Sequence, residues 1–313
     1  MSEMGDRTGL MVGEEGLERL ASASAIVCGC GAVGGYTLEG LVRAGLGRIR
    51  VVDGDVFQGS NLNRQVLATV DTVGRPKAEV ACERARSINP DIEIEGLALH
   101  VGDETADAIL DGGFDLLVDA IDTVRCKVSL LRAASTRGIR TFSSMGAALR
   151  DDPSMVRIAP LGETRVCPLA RSVRSGMRGY DTSMITCVYS EQPPIEADGG
   201  RDEHGKSVLG SLPTLPAIFG MTLANEAIMH ILRGREDASP GPRRCPDLLC
   251  LALSTALRMS SSSSVTPWAC ISSGPLRSAS SMAAINLSMA SGVSITMSVK
   301  NEQVAIFGSP LFC

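Results

Sequence analysis

The 313-residue sequence has few aromatic residues, no CxxC pair and no long apolar run, and each absence argues against a class of protein or site. Aromatic residues make up only 3% of the chain, so stacking on nucleic-acid bases is not a strong expectation. Ten cysteines include no CxxC pair, which argues against a zinc site built from cysteine pairs, and their irregular spacing favours reduced thiols over disulfides. The opening MSEMGDRTGL is unlike a signal peptide, and no apolar run looks long enough to span a bilayer. We therefore expect a cytoplasmic protein without a membrane partner.

Strand-like and helix-like segments alternate through the first 160 residues, and this alternation predicts the fold. Strands are expected at 24–29, 49–53, 93–99, 114–120 and 139–144, and helices at 32–45, 75–89, 103–110 and 123–137. Strands that are apolar on both faces and alternate with helices predict an α/β protein with a doubly wound, Rossmann-like, mostly parallel sheet. Segments 154–160 and 183–190 are predicted to be added antiparallel strands, and 167–179 and 215–234 to be helices.

The character of the chain changes near residue 237. Of the last sixty-three residues, sixteen are serine and only four are charged. We predict a folded domain at 1–236 and a serine-rich, low-complexity tail at 237–313 that has no core of its own and is disordered. No function is assigned to the tail.

The stretch GCGAVG predicts a phosphate-binding turn between the first strand and the first helix of the sheet. Gly29, Gly31 and Gly34 permit a tight turn and a close approach of phosphate to backbone N–H groups. Asp53 ends the next strand, where a carboxylate can accept hydrogen bonds from ribose hydroxyls. Glycines needed only for packing are the alternative, and the turn alone does not distinguish NAD from ATP.

Two cations downstream favour ATP. Ser60, Asn61 and Arg64 lie in a polar loop, and Lys77 begins a helix, where a cation opposes the helix dipole. Arg64 and Lys77 can clamp a triphosphate, although an ordinary solvated lysine is the alternative for Lys77. Asp122 follows the fourth strand at the same edge of the sheet and is well placed to hold Mg²⁺. Together these residues predict attack on phosphorus rather than hydride transfer.

The motifs GCGAVGG, VVDGDVFQGSNLNRQ, VGRPKAEV and DAIDTVRCK, in this order, resemble the ThiF/MoeB group of ATP-dependent adenylating enzymes, which are related to ubiquitin-activating enzymes. The resemblance covers residues 7–235. RTGLMVGEEGLERL, SSMGAA and CPLARSVR resemble most the branch of tRNA threonylcarbamoyladenosine dehydratases. The absence of CxxC pairs favours this branch over activators of small sulfur-carrier proteins, which stay the alternative. An NAD-dependent oxidoreductase is a weaker alternative.

This resemblance implies a reaction, a set of ligands and a set of partners. ATP and Mg²⁺ are the implied cofactors, and a tRNA carrying threonylcarbamoyladenosine is the implied substrate. The carboxylate of its threonyl group is adenylated. The neighbouring carbamoyl group then attacks the activated carbonyl to form a ring, which releases AMP. Gly31 lines the phosphate turn, Asp53 binds the ribose, Arg64 and Lys77 neutralise phosphate charge, and Asp122 holds Mg²⁺.

The resemblance also implies that Arg7 enters the ATP site of a second subunit, which makes the protein a homodimer with composite sites. An exposed arginine in a mobile segment is the alternative. Sulfur-transfer proteins stay open as further partners.

A tRNA substrate requires a basic surface, although the net charge of the chain is −5. The candidates are Arg165, Arg171, Arg174 and Arg178, and a solvated helix face is the equal alternative. Cys187 is predicted to be a buried strand residue, and whether it has a chemical role stays open.

Overall fold

The structure, a computed structural model, describes residues 3–196, 200 and 209–234 and three strands at 283–288, 293–300 and 303–310. By their internal contacts the residues divide into two units, Met1–Arg243 and Arg244–Cys313.

Seven strands of the first unit form one sheet in the order β3-β2-β1-β4-β5-β7-β6. They are β1 (Ser24–Cys28), β2 (Arg48–Val52), β3 (Glu93–Leu97), β4 (Leu116–Asp119), β5 (Arg140–Ser144), β6 (Val156–Pro160) and β7 (Ile185–Ser190). The order reverses between β1 and β4, which creates a crevice at their carboxyl ends where doubly wound sheets bind ligands. The predicted α/β class and the mostly parallel sheet are confirmed.

Helices cover both faces of this sheet. They are α1 (Asp6–Ser22), α2 (Gly34–Ala44), α3 (Lys77–Ile88), α4 (Ala106–Leu110), α5 (Val124–Thr136), α6 (Pro168–Gly176) and α7 (Thr214–Arg233). Successive residues of a strand point to opposite faces, and β1 illustrates the result. Ala25 and Val27 join the core under α2, α3 and α7, whereas Ile26 and Cys28 join the core under α4 and α5.

The prediction that both late strands are antiparallel is wrong for one of them. β7 pairs in parallel with β5, and only β6 runs antiparallel, against β7. A crossover through β6 and α6 returns the chain to the edge of β5 in the same direction. Strand direction depends on that crossover, which hydrophobic patterns do not report.

Two further helices differ from expectation. Helix α1 was not predicted, and its course is interrupted at Gly13, which has φ 71° and ψ 178°. Helix α7 corrects the expectation about apolar runs, because by length and composition it is long enough to cross a membrane. In this fold α7 packs on α2, where Gly220 carbonyl oxygen accepts a hydrogen bond of 3.0 Å from Thr37 Oγ1.

The second unit contains β8 (Ala283–Ser288), β9 (Val293–Lys300) and β10 (Gln303–Pro310), which form an antiparallel sheet in the order β10-β9-β8. The sequence did not predict these strands. The other residues of the segment 237–313 lie outside the described part of the chain, and the domain boundary at 236 stays a prediction.

Candidate active site

The glycine turn between β1 and α2 has two positions that only glycine fits. Gly29 has a φ of +91°, and a methyl group on Gly34 would overlap the Gly29 carbonyl oxygen. Gly31 differs, because a methyl group there would meet nothing closer than the Gln65 side chain at 3.8 Å. The backbone at Gly31 therefore has room beside it for a phosphate group.

Asp53 follows β2 and joins the glycine turn to the next loop. Its Oδ2 accepts a hydrogen bond of 2.7 Å from the Cys30 N–H, and its Oδ1 accepts one of 2.9 Å from the Asp55 N–H. The side chain is half-buried at the sheet edge. Each carboxylate oxygen keeps acceptor capacity, so Asp53 can also accept from ribose hydroxyls.

The loop of residues 58–65 orients Arg64. Asn61 Oδ1 accepts a hydrogen bond of 3.0 Å from the Gln58 N–H, so this side chain shapes its own loop. Arg64 Nη1 donates to the carbonyl oxygen of Ser60 and to Asn63 Oδ1, both at 2.9 Å. These two bonds engage one of the two terminal nitrogens, and the half-exposed guanidinium keeps N–H donors that a phosphate can accept.

Lys77 is not an ordinary solvated lysine, because it is only 7% exposed. Its Nζ lies 3.1 Å from Asp55 Oδ2, and its backbone N–H donates to the Asp55 carbonyl oxygen at 2.9 Å. The Asp55 side chain is 61% exposed, so this ion pair faces solvent through its carboxylate. A phosphate group can therefore reach the lysine charge by taking the place of the Asp55 carboxylate.

Asp122 is exposed in the loop between β4 and α5, where its Oδ1 accepts a hydrogen bond of 3.1 Å from Thr123 Oγ1. Among the residues that the structure describes, no cluster of three or more His, Cys, Asp or Glu side chains could hold a metal ion. Mg²⁺, however, is commonly held by one or two carboxylates together with substrate phosphates and water. Asp122 thus fits Mg²⁺ as one ligand among phosphate oxygens.

A buried network beneath this loop holds it in place. Asp119 Oδ2 lies 2.6 Å from Lys127 Nζ and accepts a hydrogen bond of 2.7 Å from Ser143 Oγ, and all three residues are fully buried. Asp119 Oδ1 accepts the N–H of Ile121 at 3.1 Å. The network ties the loop after β4 to α5 and β5.

Three of the four basic residues predicted for tRNA contact line one pocket beside α6. One surface pocket of about 480 Å³ is lined by Arg171, Ser172, Arg174, Ser175 and Arg178. Arg174 Nη1 donates to the Thr164 carbonyl oxygen at 2.8 Å, so its orientation is set by the protein. Helix α6 ends at Gly176, which places Arg178 beyond the helix rather than within it as predicted. Arg165 is exposed ahead of α6.

Arg7 is exposed near the start of α1. Within the described ranges, no hydrogen bond or ion pair connects its side chain with the glycine turn or the nucleotide loop. The structure thus joins the turn, Asp53 and the loops after β2 and β4, but not Arg7.

The described cysteines, Cys28, Cys30, Cys82, Cys126, Cys167 and Cys187, form no disulfide. Burial raises the pKa of the Cys187 thiol well above its ordinary value. Cys187 is thus a buried residue of β7, as predicted, and burial disfavours its thiolate form.

Three residues at this edge were not assigned a role from the sequence. Gln65 is 7% exposed, lies over Gly31, and has an Oε1 without a hydrogen-bond partner among the described residues. Asp55 partners Lys77, and Lys127 partners Asp119. The only sequence signal for Gln65 was its position after Arg64, and Lys127 reads as a surface lysine until the packing of α5 is known.

A doubly wound sheet whose switch point carries a glycine turn, an aspartate after β2 and two cations is typical of nucleotide-binding proteins. The chain belongs to the ThiF family, which matches residues 6–259.

Two relatives and one solved structure illustrate the likeness. The chain is 34% identical over 241 residues to the tRNA threonylcarbamoyladenosine dehydratase of Bacillus subtilis, covering 74% of this chain and 95% of that protein. It is 35% identical over 221 residues to the sulfur carrier protein adenylyltransferase of Thermus thermophilus, covering 71% and 73%. The crystal structure of E. coli tRNA N6-threonylcarbamoyladenosine dehydratase, TcdA, in complex with ATP matches with a TM-score of 0.66 and 28% identity, covering 72% and 93%.

Proposed function

We propose that this protein uses ATP to dehydrate threonylcarbamoyladenosine in tRNA through an acyl-adenylate. The proposal is supported above all by the contacts that join the glycine turn to Asp53 and to the loop of Arg64. Cys30 donates to Asp53 at 2.7 Å, and Gln65 lies over Gly31. A site of this kind suits charge build-up on phosphate, and the likeness to the Bacillus dehydratase over 95% of its length supports the substrate.

In the first step, a carboxylate oxygen of the threonyl group attacks the α-phosphorus of ATP. The bond between that phosphorus and the bridging oxygen of the β-phosphate breaks, and pyrophosphate leaves. In the second step, the carbamoyl group forms a bond to the activated carbonyl carbon and loses a proton. The bond from this carbon to the AMP oxygen breaks, so that one carboxylate oxygen leaves with AMP and the nucleoside has lost the elements of water.

Each residue of the site has its own role in these two steps. Gly31 leaves room for phosphate, Asp53 binds the ribose, and Arg64 and Lys77 balance the charge that moves onto pyrophosphate. Ser60 and Asn61 shape the loop that carries Arg64. Asp122 would hold Mg²⁺, which neutralises phosphate charge when it is bound.

The protein is proposed to act as a homodimer. Leu10 and Met11 on α1 are both 89% exposed, and apolar side chains so exposed suit a contact with a second copy. Arg7 lies on the same helix and would supply positive charge to the partner's ATP site.

The tRNA is proposed to contact Arg165 and the pocket of Arg171, Arg174 and Arg178, since phosphate groups bind clustered arginines. A cytoplasmic location remains a prediction.

The test is incubation with ATP and tRNA that carries threonylcarbamoyladenosine, followed by mass analysis of the nucleosides. We expect the modified nucleoside to lose the mass of one water molecule and AMP to appear in equal amount. The control is the same tRNA without the modification, which should yield no AMP.

Adenylation of a sulfur-carrier protein is the second candidate, because the Thermus adenylyltransferase is 35% identical to this chain. It predicts exchange of pyrophosphate into ATP only when a carrier protein with a free C-terminal carboxylate is added. AMP formation that requires such a carrier and ignores tRNA would replace the dehydratase proposal.

A further inference from the structure

A buried arginine lies in the loop that follows β5. Arg150 is 4% exposed, and its Nη1 is 3.3 Å from the Leu149 carbonyl oxygen, which is a long hydrogen bond. Its Nε has no hydrogen-bond partner among the described residues, and none of the ion pairs between them includes Arg150. Cys167 is a neighbour of this guanidinium. A buried cation with an unused donor is costly unless something compensates it.

Two non-glycine residues of this region have their backbone in the left-handed region. Leu149, which precedes Arg150, has a φ of +56°, and Val166, which precedes Cys167, has a φ of +60°. A β-branched residue in the left-handed region is rare, so the surrounding contacts must hold Val166 there. Leu149 is held by a hydrogen bond of 2.9 Å from its N–H to the Gly210 carbonyl oxygen. Such strained positions concentrate at ligand sites.

Hydrogen bonds connect this loop to the nucleotide loop. Gly210 binds Leu149, and the next residue, Ser211, accepts a hydrogen bond of 3.0 Å from Asn63 Nδ2. Asn63 in turn contacts Arg64. The Arg150 loop also follows β5, the neighbour of β4, whose own loop carries Asp122. Arg150 therefore lies on the β5 side of the nucleotide loop, at the same edge of the sheet.

Adenylation requires that a carboxylate approach a phosphate, although both groups are anions. Arg64 and Lys77 are the cations proposed to bind the phosphates, so the substrate carboxylate needs a separate cation. A guanidinium presents its Nε–H and a terminal N–H side by side in one plane, which matches the two oxygens of a carboxylate.

We propose that Arg150 binds the carboxylate of the acyl substrate and orients it toward the α-phosphate of ATP. The proposal rests on the function proposed above and adds the residue that recognises the acyl group.

The test compares Arg150→Gln with Arg140→Gln. Arg140 serves as the control because its Nε also lacks a partner among the described residues, whereas it is half-buried, donates to Thr186 Oγ1 at 2.7 Å and begins β5 at the opposite edge of the sheet. We expect Arg150→Gln to lower kcat/KM for the modified tRNA about 100-fold, as truncation of a buried charge pair does, and to leave the Kd of ATP within about twofold. Arg140→Gln should leave kcat/KM for the tRNA within about threefold.

A second measurement separates carboxylate recognition from a folding defect. Threonylcarbamoyladenosine nucleoside and its threoninol analogue, in which a hydroxymethyl group replaces the carboxylate, compete for the site in the presence of a non-hydrolysable ATP analogue. We expect the wild-type protein to prefer the carboxylate and Arg150→Gln to bind both compounds alike. A variant that keeps the preference overturns the role of Arg150. A wild-type protein that binds ATP but has no preference overturns the proposed function as well.

Discussion

Two lysines of this protein are buried and each contacts an aspartate, yet the two ion pairs have different surroundings. Lys77 contacts Asp55 at 3.1 Å, and the Asp55 side chain is 61% exposed. Lys127 contacts Asp119 at 2.6 Å, and both side chains are 0% exposed. Asp55 follows β2 and Asp119 ends β4, so both aspartates lie at the same edge of the sheet.

This difference indicates that the surroundings of an ion pair determine whether its cation can bind a ligand. Water already solvates Asp55, so Lys77 can change partners and bind a phosphate at small cost. Asp119 also accepts a hydrogen bond from Ser143, and a change of partner would leave a buried charge uncompensated. We therefore infer that Lys77 binds the nucleotide and that Lys127 stabilises the fold.

The glycine turn shows the same division. Gly34 has no room for a methyl group, because the Gly29 carbonyl oxygen occupies that position, whereas at Gly31 the nearest atom is 3.8 Å away. The turn requires Gly34, and we infer that Gly31 leaves room for the ligand.

Replacement of Lys77 should have the largest effect on catalysis. We expect Lys77→Met to lower the rate of AMP formation by about 10³-fold, because a preorganised charge at the phosphates is lost. Thermal unfolding should change little, since Asp55 stays solvated. Retention of more than a tenth of the wild-type rate would contradict the assignment.

Replacement of Lys127 should have the largest effect on stability. We expect Lys127→Met to lower the free energy of unfolding by about 3–5 kcal/mol, because Asp119 is left as an uncompensated buried charge. Denaturant titration measures this change. The double variant Lys127→Met with Asp119→Asn should recover part of it, and a single variant as stable as the wild type would show that the network does not support the fold.

The two glycines provide a smaller and sharper comparison. We expect Gly34→Ala to destabilise the protein by about 3 kcal/mol through overlap with the backbone. Gly31→Ala should leave the unfolding midpoint unchanged but weaken ATP binding about tenfold, which calorimetry measures. Equal effects of both substitutions on stability would argue against the division.

Removal of Asp55 should have the smallest effect. We expect Asp55→Asn to strengthen ATP binding about twofold, because a half-solvated negative charge beside the phosphates is removed and Lys77 loses a competing partner. A Kd measured at low ionic strength shows this best. Weaker binding would mean that Asp55 orients Lys77 for the nucleotide.

The sequence predicted the glycine turn and Asp53, because each directly follows a strand, and it predicted Arg64 and Lys77 from the polar loop and the helix start that come next in the chain. It did not predict α1, in which three glycines lower helix propensity and Gly13 interrupts the helix. It also missed the parallel direction of β7, which a distant crossover determines. The burial of Lys127 and Arg150 could not be predicted either, because a charged residue in a helix or loop is expected to be solvated unless its neighbours are known.

The proposed reaction requires that the carboxylate of threonylcarbamoyladenosine attack the α-phosphorus of ATP. The most direct test uses tRNA whose threonyl carboxylate carries a heavy-oxygen label, incubated with ATP and the protein in ordinary water. We predict one labelled oxygen in the phosphate of AMP for each nucleoside dehydrated, and none in pyrophosphate. Label in inorganic phosphate, or dehydration with unlabelled AMP, would contradict the account.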